Sequence, residues 1–145
     1  MPEHAQRVLT EEVPAPAEQV RAFYADLDNI KTVHPLVVAV RTISRRDHTR
    51  TYRVTDRIRL GPVTLRTTYW AQLTVTDSGD ITSEARQFPG VRLRTVVTFE
   101  PVRAGTRVTE RITIQAPRPL FAFTARQAIT AHRAMLAGIR RHFAG

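Results

Sequence analysis

Cysteine is missing from this chain of 145 residues, lysine occurs only as Lys31, tryptophan only as Trp70, and no apolar run is long. Without cysteine there are no disulfides, no thiolate metal sites and no cysteine nucleophile, and a reducing, cytoplasmic setting is expected. No stretch approaches the roughly 20 apolar residues of a spanning helix. The start, MPEHAQRVL, also lacks the apolar segment of a secretion signal, so no membrane insertion is expected. Low-complexity segments, repeats and long loops are absent too.

What is there is ordinary globular composition, with 42% hydrophobic, 24% charged and 7% aromatic residues. A chain of this length encloses one core and buries about two-thirds of its unfolded surface, so residues 1–145 are read as one domain. Basic residues number 22 against 13 acidic ones, for a net charge of +9. That excess lies either on a plain solvated surface or against an anionic partner, because net charge governs association rather than fold.

Ala5 to Val13 reads as a strand, ended by Pro14-Ala15-Pro16. Val20, Phe23, Tyr24 and Leu27 then recur at i, i+3, i+4, i+7, the stripe of an amphipathic helix with Pro16 at its first position and Glu18 complementing its N-terminus. Asp28 and Asn29 interrupt, a short helical turn holds Ile30 to Val33, and His34-Pro35 ends it. From there the period is two. Strands are expected over Leu36 to Ser44, His48 to Leu60, Val63 to Thr76, Ile81 to Phe88, Val91 to Pro101 and Thr106 to Ala116, joined by short Gly, Pro and Asp turns as an antiparallel meander. Leu120 to Phe143 is a long helix whose Phe121, Ala125, Ala128, His132, Met135, Ile139 and Phe143 share one side.

Alternation assigns Tyr52, Val54, Asp56, Ile58 and Leu60 to one row, and likewise Val63 to Leu73 on odd positions, Val91 to Phe99 on odd positions, and Val108, Glu110, Ile112 and Ile114. The opposite rows carry arginine and threonine. An α+β architecture follows, in which a curved antiparallel sheet of six or seven strands wraps its apolar face round the terminal helix.

This order of elements resembles the SRPBCC superfamily, the START-like, helix-grip group of polyketide cyclases, lipid-transfer domains and birch-pollen-allergen-like proteins. The likeness is carried by VPAPAEQVRAFYADLDNIKTVHPLV, by Gly105-Thr106-Arg107-Val108-Thr109 and by Ala134-Met135-Leu136. It implies a seven-stranded β-α-α-β6-α helix-grip fold with a deep, largely apolar cavity between sheet and terminal helix. Members use such a cavity for lipids, polyketides, steroids or quinones; other members catalyse nothing, and some are co-chaperones or ribosome-associated.

Asp56 and Glu110 are the sharpest anomaly, because a carboxylate in an apolar row must be paired, hydrogen-bonded or neutral. Either they serve a cavity as orienting groups or acid/base catalysts, or they reach water or pair with an arginine. His132 on the helix stripe either exchanges protons with a bound carbonyl or enol, or is a core histidine bonded to a tyrosine or carboxylate. These three are the candidate catalytic residues. Tyr52, Tyr69, Phe23, Phe99 and Met135 are candidate ligand contacts, and His34, beside the short helix that related proteins carry at the cavity entrance, is a candidate gate. No spacing suggests a metal site or a phosphate loop, so no cofactor is expected. The expected partner is a hydrophobic small molecule held by a monomer or homodimer. A second reading has the outer row, Arg53, Arg57, Arg59, Arg66, Arg92, Arg94, Arg107 and Arg111 with Trp70, meeting RNA phosphates and a base.

Overall fold

A computed structural model describes residues 2–145. Its strands are β1 (Pro2–Val13), β2 (Val37–Arg46), β3 (Thr49–Leu60), β4 (Val63–Val75), β5 (Ile81–Gln87), β6 (Val91–Val102) and β7 (Gly105–Pro117), and its helices are α1 (Ala17–Tyr24), α2 (Leu27–Lys31) and α3 (Arg118–Ala144). The strands make one antiparallel sheet in the order β1-β7-β6-β5-β4-β3-β2. The meander from β2 to β7 is thus extended by β1, which pairs with β7 from Pro2↔Pro117 to Val13↔Thr106.

Three helix boundaries differ from expectation. Pro16 is the N-cap rather than the first helical residue, with extended backbone at φ −60°, ψ 148°. The interruption falls at Ala25-Asp26 instead of Asp28-Asn29, because the Asp26 side chain accepts the Asp28 N–H at 2.9 Å and so starts a new helix at Leu27. The Thr32 hydroxyl donates to the Asn29 carbonyl at 2.6 Å and closes that helix. α3 begins two residues earlier than the alternation of residue types suggested, at Arg118.

α3 packs mainly on β1 and β7. Its C-terminal half is buried through Ala131, Met135, Leu136, Gly138 and Ile139, while Phe121, Ala125, Ala128 and Ile129 of the N-terminal half are only partly covered. The well-packed core therefore occupies one end of the grip, around Ile81, Val97, Val108, Ile112 and Ile139. Gly138 lets α2 approach α3: a Cβ there would lie 2.9 Å from that of Val33, the residue before His34.

The inner row is not covered along its whole length. β5 pairs with β4 only between Trp70↔Arg86 and Val75↔Ile81, so the tip of the β3–β4 hairpin has sheet neighbours on one side only. Leu60, Val63 and Leu65 of the expected apolar row are accordingly exposed.

The β6–β7 turn depends on Gly105, whose φ of +147° is open to glycine alone and whose missing Cβ would lie 2.1 Å from the Val13 carbonyl oxygen. Gly105→Ala is expected to lower unfolding free energy by about 2–4 kcal/mol in urea titration, through strain and displacement of β1.

Candidate functional site

Glu110 is 0% exposed at the middle of the inner row of β7. Among the described residues no arginine reaches it. Tyr24 of α1 donates its hydroxyl to Oε2, and His132 of α3 places Nδ1 3.1 Å from Oε1 and 3.3 Å from Oε2. A buried carboxylate needs such partners, since removing the charge from water without them costs several kcal/mol. The His132 side chain is 14% exposed, and no hydrogen bond from the described residues engages its Nε2.

Burial pushes the His132 imidazolium toward losing its proton. The Glu110 charge, the hydrogen bond to it and the Asp56 charge together outweigh burial, so its pKa lies above the ordinary value. Tyr24 is held well above the usual phenol range by burial and then by Glu110. It remains a hydrogen-bond donor.

A second carboxylate–tyrosine pair stands on the neighbouring wall. Asp56 on β3 is 9% exposed and accepts the Tyr69 hydroxyl at 3.2 Å. Burial raises its pKa to about 6, against the opposing effects of the Tyr69 hydrogen bond and the His132 charge. Tyr69 is likewise raised well above its ordinary value, by burial and then by Asp56.

His34 completes the group. Its ring meets that of His132 edge to face at 5.6 Å, and its Nδ1 accepts the Leu36 N–H at 3.2 Å. Burial and then the His132 charge push its pKa down to about 3, so it is neutral with its proton on Nε2. The close α2–α3 approach at Gly138 is what brings His34 to this position.

These groups surround a cavity of about 90 Å³. A single water needs about 10–15 Å³ on that scale, so the space is several waters deep. Tyr24, Tyr69, His34, His132 and Met135 line it, with Leu27, Ile30, Val37, Val40, Val54 and Leu93 as apolar wall and the small side chains Ala71, Ser83, Ala85 and Thr95 as floor. It is a mostly apolar chamber whose polar groups include the tips of Tyr24, Tyr69, His34 and His132 and the hydroxyls of Ser83 and Thr95.

The sequence-derived candidates divide accordingly. Met135, Tyr69, His34 and His132 are in the cavity wall. Glu110 and Asp56 stand behind it, each reaching the chamber only through the side chains it binds. Three expected ligand contacts lie elsewhere. Phe23 packs against His142 and Phe143 at the end of α3, with ring centroids 4.4 and 5.6 Å away. Phe99 meets Tyr24 at 5.9 Å with the Arg21 guanidinium over it. Tyr52 is fully buried and donates to the Ala25 carbonyl at 3.3 Å, satisfying the backbone where α1 breaks. Tyr24 was missed as a site residue; the signal was a hydroxyl on a buried helix stripe, which must find an acceptor. Among the described residues no group of three or more His, Asp or Glu is placed to hold a metal ion, and no helix is long and apolar enough to cross a membrane.

A family model described as polyketide cyclase / dehydrase and lipid transport matches residues 5–144. Among solved structures, TTHA0849 from Thermus thermophilus superposes with a TM-score of 0.74 at 19% identity, over 97% of this chain and 95% of that one. The di-domain ARO/CYC BexL from the BE-7585A biosynthetic pathway gives 0.81 at 16% identity over 98% of this chain, which spans 50% of BexL. The Zhui aromatase/cyclase from Streptomyces sp. R1128 gives 0.70 at 16% identity, over 97% and 95%. At these identities the likeness shows the fold. No curated protein sequence matches the chain.

Replacing Glu110 by glutamine keeps an acceptor for Tyr24 and removes the nearest charge holding the His132 proton. In Glu110→Gln the His132 pKa, read from its ring-proton NMR titration, is expected to fall, because burial then opposes only Asp56. Glu110→Ala is expected to cost about 3–5 kcal/mol of stability, as loss of one partner from a buried pair does.

Proposed function

The chain belongs to the polyketide cyclase/dehydrase and lipid transport family, and on that premise we propose that its cavity binds an apolar or aromatic carbonyl compound and that His132 moves protons on it. The observation that carries this reading is the orientation of His132: Nδ1 is committed to the buried Glu110 and Nε2 is left free in an apolar chamber. Binding energy comes mainly from apolar ligand surface withdrawn from water, at about 25 cal/mol per Å² before ordering costs. Polar atoms of the ligand meet the Tyr24 and Tyr69 hydroxyls and the His34 Nε2–H.

The chemistry suits an enol, aldol or dehydration step. Glu110 and Asp56 favour the protonated form of His132, which gives its proton from Nε2 to a ligand oxygen while Glu110 steadies the imidazolium. In a dehydration the protonated hydroxyl leaves as water as the C–O bond breaks. The now neutral Nε2 takes the adjacent α-proton, and the C–H electron pair becomes the new C=C bond. His132 ends as it began. Asp56 acts at a distance, its charge helping to hold the His132 proton.

Native mass spectrometry of freshly isolated protein is expected to show a bound lipophilic compound. The proton-transfer reading is tested with a β-diketone probe, 1-phenyl-1,3-butanedione, whose methylene hydrogens exchange in D₂O. Wild-type protein is expected to accelerate that exchange, and His132→Gln to slow it about 10²–10⁴-fold with affinity for the probe little changed. Because the methylene proton is taken by the unprotonated Nε2 of His132, the exchange rate should rise as pH rises through its pKa. Asp56→Asn, which removes one of the charges raising that pKa, should move this limb to lower pH. Exchange equally fast in His132→Gln would leave a carrier without catalysis, and an empty cavity that binds no probe would remove the reading altogether.

A further inference from the structure

The face of the sheet turned away from the cavity carries a line of side chains set by register alone. Arg41 pairs with Arg53, Arg53 with Trp70, Trp70 with Arg86, and Arg86 with Arg92, so five consecutive strands, β2 to β6, contribute one residue each to a single cross-sheet row. At about 4.8 Å per strand the row is about 19 Å long. Arg57 and Arg66 face each other in an outward row further along the β3–β4 hairpin, and Arg94 flanks the line on the other side. Seven arginines therefore stand on this part of the sheet; among the described residues the outward carboxylates of β2–β6 are Glu100, at the far end of β6 and paired with Arg107 at 2.9 Å, and Glu84. It contacts Arg86 at 2.5 Å, Arg94 at 3.5 Å and Arg92 at 3.6 Å.

Trp70 lies inside this line, 48% exposed although it is the largest apolar side chain of the protein. The Arg53 guanidinium sits 4.8 Å from its ring centroid. An indole exposed amid guanidinium groups offers two things together, a flat stacking surface and fixed positive charge on both sides of it. From this arrangement we infer that the β2–β6 outer face is a binding surface for single-stranded nucleic acid, with Trp70 stacking on a base and the arginine row meeting successive phosphates.

Charge complementarity selects a polyanion, since the seven arginines share Glu84 alone, the other outward carboxylate, Glu100, being held by Arg107. The indole selects among polyanions. An acidic peptide offers carboxylates without ring systems to stack, and the exposed apolar residues of the hairpin tip that would suit a lipid surface, Leu60, Val63 and Leu65, belong to the opposite, cavity-side row rather than to the arginine line. Bases have a π-face whatever their identity, so the surface takes single strands with little sequence preference, and its length suits the short end of known site sizes, about four nucleotides. The cavity on the other face plays no part, so this inference stands or falls apart from the proposed function.

The test is anisotropy of a fluorescein-labelled oligouridylate titrated with the full chain at increasing salt. Binding is expected at low salt, with a slope of log K against log salt of about −3 for four contacted phosphates. Trp70→Ala is expected to weaken it about tenfold, Trp70→Phe to restore most of that loss, and Arg92→Ser to reduce the slope by about 0.7. Circular dichroism of each variant checks that the sheet is intact. Absence of binding at low salt overturns the inference. So does competition by polyglutamate or by phosphatidylglycerol vesicles as strong as that by unlabelled oligouridylate at equal charge, which assigns the surface to an acidic protein or an anionic membrane. Binding unchanged in Trp70→Ala overturns the stacking role.

Discussion

Glu110 is the group the rest of the site answers to. A carboxylate sealed in the middle of a sheet has to be compensated where it stands, and the compensation comes from two elements far apart in sequence, Tyr24 in α1 and His132 in α3. One ion thereby fixes the relative position of the opening helix, the terminal helix and the last strand. The same demand fixes the chemistry. With Nδ1 drawn to Glu110, the imidazole has one orientation, one nitrogen left over and a proton held more firmly than in water. The structural pairing and the free nitrogen on which the proposed chemistry rests arise together.

The chamber that receives that nitrogen is a consequence of side-chain volume. In the closed part of the core the branched side chains of Ile81, Val97, Val108 and Ile112 are fully buried. Under the cavity the sheet supplies Ala71, Ser83, Ala85 and Thr95 instead, and the floor drops. The hollow is kept apolar by Leu27, Ile30, Val37 and Val40 from the α2–β2 segment, which Gly138 allows to close on α3.

Much of this was legible in the residues, and the reasons it was not wholly so are specific. Period-two alternation gave the meander, its two faces and the burial of Asp56 and Glu110, because sheet geometry leaves each side chain only two directions. The α1–α2 break was misplaced by three residues, since Asp26 and Asp28 are both able to cap a helix and only the fold chooses between them. Tyr52, Phe23 and Phe99, expected as ligand contacts, lie outside the cavity lining and pack around α1. Alternation tells that a side chain is inside, and which part of the inside is hollow depends on volumes contributed by several strands at once. Tyr24 stayed hidden for the same reason: its acceptor lies 86 residues away on β7.

Asp56 shows what the site costs the protein. A carboxyl whose pKa is raised by burial from 3.8 to about 6 is more stable protonated in the folded chain than unfolded. Its contribution is therefore favourable in acid and is lost as pH rises from about 4 to about 6. Above that range the folded state carries a penalty of at most about 3 kcal/mol, the equivalent of that shift. An apolar residue at position 56 would avoid this penalty and pack against Val37, its partner across the β2–β3 pair. What the aspartate supplies in exchange is a second negative charge acting on His132 and a fixed orientation for the Tyr69 hydroxyl. Stability given up at one inner-row position appears as a held proton and an aimed donor in the chamber beside it, which is the trade expected where a fold carries chemistry rather than packing alone.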